Sequence, residues 1–147
     1  MAADMANLKN WRFQIDLEGI AWATIDVQGQ SQNTLGREPV EELEAIVTAV
    51  EEGARDKRIR GVIFMSGKEK SFIAGADIRE FDNLGTEAEV TQAVHAVTGI
   101  FDRIETLPVP AVAAIHGFCL AAAWSSRWPA ITGSRTGRKA RGSACPR

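Results

Sequence analysis

Apolar and polar positions change period several times along this chain, and each change marks an element. Trp11–Leu17 and Ile20–Val27 read as two strands joined around Glu18-Gly19, the second alternating Ile20, Trp22 and Thr24 with Ala21, Ala23 and Ile25. Gly29–Gly36 is polar and reads as a loop. A period near 3.6 begins at about Arg37, with Pro39 tolerated in the first helical turn. Val40, Leu43, Ile46, Val47 and Val50 then share one face, opposite Glu41, Glu42, Glu44, Glu51 and Glu52. Arg60–Met65 is a short apolar strand. Phe72 and Ile73 read as a buried strand end, Ala74-Gly75-Ala76 as a turn, and Asp77 as the opening of a short helix. After a turn at Asn83-Leu84-Gly85, Thr86 and Glu89 have the spacing of a capping box. The stripe Val90, Val94, Val97, Phe101, Ile104 predicts a helix running to Leu107, where Pro108 and Pro110 end it. Val109–Ile115 is a buried strand. Strands alternating with amphipathic helices predict an α/β fold.

Composition narrows this picture without redirecting it. With 147 residues, 45% hydrophobic and 24% charged, the chain can bury one core. No apolar run approaches bilayer length, and Met1–Asn10 carries Asp4 with no apolar centre, so neither a membrane span nor a secretory signal is expected. Cys119 and Cys145 form no C-x-x-C pair, which fits reduced thiols and a cytoplasmic setting. His116-x-x-Cys119 resembles half of a metal site, but no second pair exists and no metal is expected. The net charge of −2 hides an asymmetry: all 19 acidic residues lie before residue 124, while Arg127, Arg135, Arg138, Lys139, Arg141 and Arg147 follow it with none. That tail shows neither strand nor helix period and reads as a nucleic-acid arm, a solvated end, or sequence of another origin.

The stretch with the most chemistry in it is Ser71–Phe81. A tight turn between strand and helix leaves amides directed outward, so the Ala76 N–H is a candidate oxyanion donor. Most such turns carry no chemistry. Here the wording adds specificity. Phe-Ile-Ala-Gly-Ala-Asp-Ile at 72–78, preceded by Gly61–Ser66, resembles the first oxyanion segment of the enoyl-CoA hydratase/isomerase (crotonase) family. Asp26-Val27, Gln32-Asn33-Thr34-Leu35 and Pro110–Leu120 resemble the same family in the same order. Within it, the chain resembles the N-terminal hydratase part of multifunctional fatty-acid oxidation alpha subunits.

The resemblance implies a partial spiral of β-β-α repeats, and the unpatterned segment after residue 120 is expected to form an irregular or disordered C-terminal tail. The implied division is a flexible N-terminus (1–10), the N-terminal part of a crotonase-like domain (11–120) and a basic irregular tail (121–147). It also implies that an acyl-CoA thioester carbonyl is held by two backbone N–H groups while an enolate-like anion forms; losing one such donor typically raises a barrier by about 2.7–4 kcal/mol. Ala76 matches the first donor, and Ala74, Gly75, Ala76, Asp77 and Ile78 match the backbone that lies along CoA. Two glutamates would act as acid and base on water, the first in Gly-Gly-Gly-x-Glu. Relatives of this kind associate with a thiolase subunit, and their nicotinamide-dependent portion has no counterpart here, so neither NAD nor another cofactor is assigned.

At the second donor the chain departs from the family. It reads Ala121-Ala122-Ala123-Trp124-Ser125, so Ala122 occupies the second oxyanion position with an added methyl, and Ser125 occupies the place of the first glutamate. A serine without its own base is no general base near neutral pH. The second glutamate would fall near Cys145, in the acid-free tail. As written, the chain is expected to lack hydratase activity. The tail's bias toward Arg, Ala, Gly, Ser, Pro and Trp has a coding explanation. Synonymous codons for Ala121–Gly133, regrouped behind one added G, translate as Gly-Gly-Gly-Leu-Glu-Leu-Ala-Leu-Ala-Cys-His-Tyr-Arg. One lost base after Leu120 would therefore turn the family's continuation into residues 121–147.

The remaining residues carry bland readings first. Asp77 is a helix N-terminal acid, Lys68 and Lys70 are solvated rather than CoA-phosphate ligands, and His116 is a satisfied core histidine at a strand end. His95 is peripheral. Trp11 and Trp22 belong to the core, whereas Trp124 and Trp128 have no patterned face. Two other functions stay open: isomerisation or decarboxylation on the same fold, and a non-catalytic acyl-CoA-binding remnant or interaction fragment.

Overall fold

The computed structural model describes residues 5–75, 77 and 85–117. The alternation in the second predicted strand reads out as depth. In β2 (Ile20–Ile25), Ala21, Ala23 and Ile25 are fully buried, while Trp22 is 37% exposed on the other face. β1 (Trp11–Ile15) pairs antiparallel to β2, with Trp11 opposite Ile25 and Ile15 opposite Ala21. The strand stops at Ile15 rather than Leu17 because Asp16 turns the chain. Its Oδ1 accepts from the Glu18 and Ile20 amides and its Oδ2 from the Trp22 indole N–H, each at 2.9 Å. The Trp22 bond, then the Ile20 amide, hold the Asp16 carboxyl below its ordinary pKa.

Helix α1 (Arg37–Arg55) carries the chain to β3 (Gly61–Ser66), which lies parallel to β2. Helix α2 (Glu87–Glu105) then leads to β4 (Ala111–Ala114), parallel to β3, so the sheet order is β1-β2-β3-β4. Register stacks buried residues in rows: Ala21–Val62–Ala111 and Ala23–Phe64–Ala113. These rows join Leu43, Ile46, Val47 and Val50 of α1 and Ile100 and Ile104 of α2 in one apolar cluster. Burying one such side chain contributes roughly 1.5–3 kcal/mol. Trp11 closes one side, edge-on to Phe64 at 6.3 Å and donating its indole N–H to Pro39 O at 2.9 Å.

The capping box forms as predicted: Thr86 Oγ1 accepts from the Glu89 amide at 3.3 Å and Glu89 Oε2 from the Thr86 amide at 3.1 Å. The stripe of α2 buries less than its pattern suggests. Val94 is 50% exposed, and the helix seats through Ile100 and Ile104 at its C-terminal end. There Arg103 reaches α1, binding Glu51 through Nη2 at 2.7 Å and Nε at 3.1 Å and Thr48 at 2.9 Å. Of the lead-in expected to be flexible, Met5–Asn7 forms a 3-10 turn, Met5 and Leu8 pack on the core, and the Lys9 and Asn10 amides donate to Glu42.

Candidate functional site

The chain leaves β2 at Asp26-Val27, β3 at Gly67 and β4 at Ile115–Gly117, and these exits meet at one edge of the sheet. Their meeting is organised by Asn33, which is completely buried. Asn33 Oδ1 accepts from the Val27 amide at 2.9 Å. Its Nδ2 faces Ile25 O at 3.2 Å, Ser66 Oγ at 2.8 Å and Phe72 O at 2.9 Å. Ser66 Oγ donates to Ser71 O at 2.7 Å and accepts from the Lys68 amide at 2.9 Å. Phe72 and Ile73 are buried, as predicted for a strand end, although they lie beyond the ladder.

Residues 33–35 run alongside the turn that follows. Ala74 N donates to Asn33 O at 2.8 Å, Leu35 N to Gly75 O at 2.9 Å, and Asp77 N to Leu35 O at 3.3 Å. Gly75 has φ 121, a conformation that side chains rarely adopt, so glycine is required at this bend. The amides of Ala74 and Asp77 are thus committed inside the protein. Asp77 Oδ2 lies 3.4 Å from the Thr34 hydroxyl, which also lies 2.9 Å from Gln30 Oε1, so one proton serves both acceptors. Ala76 and Ile78, Ala122 and Ser125, and the helix expected after Asp77 lie outside the described residues, as does all of 121–147. The structure therefore brings together Ala74, Gly75 and Asp77 of the predicted site.

Three expectations are corrected at this edge and beside it. Lys68 is not a solvated loop lysine: Nζ binds Asp26 Oδ1 at 2.7 Å and Val27 O at 2.9 Å, which ties the exits of β2 and β3 together. His116 is not a core histidine; it is exposed, with Nε2 2.6 Å from Lys68 O. Trp22 is not in the core, because Asp16 offers its indole a partner on the outer face. Lys70 and His95 are exposed, as expected. Gly117, at φ 64, lies so close to the Lys70 carbonyl that an added Cβ would stand 2.1 Å from its oxygen. Sequence reading did not anticipate the role of Asn33, whose signal is a buried carboxamide with partners far away in the chain.

Among the described residues, no group of three or more His, Cys, Asp or Glu could hold a metal ion, and no helix is long and apolar enough to cross a membrane. A cavity of about 360 Å³ lined by Ile104, Leu107, Pro108 and Val109 lies at the start of β4, at the opposite edge from the turn.

Residues 18–125 match the enoyl-CoA hydratase/isomerase family. The chain is 40% identical over 116 residues to a fatty acid oxidation complex subunit alpha from Idiomarina loihiensis, a match covering 79% of this chain and 16% of that protein. An enoyl-CoA hydratase structure from Bacillus anthracis aligns with TM-score 0.64 and 31% identity, over 74% of this chain and 40% of that one. The fold of Pseudomonas aeruginosa DspI aligns with TM-score 0.70 at 20% identity, over 86% of this chain and 46% of that one. The chain thus spans less than half the length of each of these relatives.

Proposed function

The chain belongs to the enoyl-CoA hydratase/isomerase family, and from that premise we propose that it is the N-terminal part of a hydratase module of fatty-acid β-oxidation, holding the carbonyl of a 2-enoyl-CoA at the 74–77 turn. In this reading the Ala76 N–H donates to the thioester oxygen and CoA lies along residues 74–78. One observation carries it. The backbone on both sides of position 76 is clamped on residues 33–35, with the Ala74 and Asp77 amides already committed. A donor at 76 would be held in a fixed direction, which transition-state charge stabilisation requires.

The chain as written binds without turnover in this account, because Ser125 stands where hydration needs a carboxylate and Ala122 replaces the glycine of the second donor. Hydration is redox-neutral, so the reading calls for no cofactor. A cytoplasmic location and association with a thiolase subunit belong to the same proposal, supported by the likeness to an oxidation-complex alpha subunit. Likewise, the acid-free segment 121–147 is proposed to be an out-of-frame reading of the family's continuation. A nucleotide sequence that, one base out of register, does not encode Gly-Gly-Gly-Leu-Glu after Leu120 removes that part.

Titrating the chain with a 2-enoyl-CoA tests the whole. Saturable binding, tighter than for CoA alone and with no loss of the conjugated thioester absorbance, is expected. No preference over CoA alone overturns the site, and steady loss of absorbance overturns the claim of inactivity.

A further inference from the structure

We propose that Asn33 is the positioning residue of the Ala74–Gly75 turn, its buried carboxamide fixing where the turn's backbone lies against the sheet edge. Its catalytic meaning rests on the acyl-thioester reading above. Chemistry fixes the orientation of the carboxamide. Oδ1 meets the Val27 amide, a donor, at 2.9 Å, whereas Nδ2 meets Ile25 O at 3.2 Å and Phe72 O at 2.9 Å, which only accept. Exchanging oxygen and nitrogen would set acceptor against acceptor. The proton of Ser66 is drawn to Ser71 O at 2.7 Å, so Ser66 Oγ presents a lone pair to Nδ2 at 2.8 Å.

One side chain therefore joins the end of β2, the end of β3 and Phe72, and its own carbonyl takes the Ala74 amide at 2.8 Å on the far side of Ile73. Asn33 thus grips the chain on both sides of Ile73, immediately before the Gly75 bend, and Leu35 O takes the Asp77 amide at 3.3 Å after it. No other side chain of this size does this. Leucine would leave the Val27 N–H and the Phe72 carbonyl buried without partners, aspartate lacks the donors, and serine is too short to span the acceptors. A carbonyl-binding turn needs its supporting residues locked by such contacts, since misplacement of about 1 Å costs on the order of 100-fold in rate.

The full chain tests this with Asn33→Asp, which keeps shape and the Val27 contact while removing donors, and with the milder Ser66→Ala. Two readouts are taken: backbone hydrogen exchange, and the ratio of affinities for a 2-enoyl-CoA and for CoA alone. A positioning role speeds exchange at Ala74 and Asp77 by about tenfold or more while β2 and β3 amides hold. The affinity ratio falls with it and CoA binding stays constant. Unchanged exchange at the turn overturns the inference. So does equal acceleration throughout the sheet, which marks a general structural role, and so does a preserved affinity ratio over a loosened turn. If Asn33→Asp fails to fold, Ser66→Ala decides by the same readouts. A wild-type chain that binds thioester no better than CoA sinks the acyl-thioester reading instead, and exchange alone then decides the role of Asn33.

Discussion

Gly117→Ala isolates the contact that docks the end of β4 on the turn's base. Two costs apply at Gly117. Its φ of 64 lies in the left-handed region, worth about 1–2 kcal/mol for a residue with a Cβ. The new Cβ would also stand 2.1 Å from Lys70 O and 2.5 Å from its carbonyl carbon, backbone atoms that cannot rotate away. Overpacking of this kind costs about 1–3 kcal/mol, so the sum is about 2–5 kcal/mol. Two controls separate these costs. Gly29 has φ 73 with nothing within 4 Å of an added Cβ, so Gly29→Ala should cost only about 1 kcal/mol. Gly99 lies in α2, exposed and with nothing within 4 Å, so Gly99→Ala should stabilise by about 1 kcal/mol through helix propensity. Urea unfolding at constant slope reads all three as midpoint shifts. The order Gly99→Ala, Gly29→Ala, Gly117→Ala from most to least stable is expected. A Gly117→Ala chain as stable as Gly29→Ala would refute the close approach of the His116–Gly117 backbone to Lys70.

Thr86→Ala removes the acceptor of the Glu89 amide and should cost about 0.5–2 kcal/mol, read in the same urea assay; no loss would mean that α2 does not depend on its cap. Glu51 supplies a pH dependence. Hydrogen bonding to Arg103 holds its carboxyl below the ordinary value of 4.5, so its contribution is complete above that value and fades as pH falls through the lower folded-state pKa. The pair is partly exposed, which limits the effect to about 0.5–1 kcal/mol. Glu51→Gln should flatten that part of the acid limb, and an unchanged limb would contradict the assignment.

The elements were legible where a local rule decides them. Period 3.6 located the buried face of α1, alternation separated Ala21, Ala23 and Ile25 from Trp22, and a three-residue spacing gave the cap of α2. What escaped depends on partners far along the chain. Lys68 is fixed by Asp26, and Asn33 meets Ser66 and Phe72 across 33 and 39 residues, with nothing local to announce it. Trp22 was misplaced because six residues earlier Asp16 provides a surface partner for its indole. In α2, equal spacing gave Val94 and Ile104 the same standing, whereas Val94 is half exposed and Ile104, next to the Arg103 that binds Glu51 of α1, is buried. The glycine bend was legible as a bend, and its clamp by residues 33–35 was not.

The most direct test of a thioester-holding turn is the carbonyl stretch of a 2-enoyl-CoA carrying carbon-13 at C1, recorded by difference infrared spectroscopy on the full chain. A hydrogen bond from a fixed backbone donor weakens that C=O bond, so the account predicts a band moved to lower frequency than in water once the ligand is bound. A bound ligand whose carbonyl keeps its aqueous frequency would contradict it.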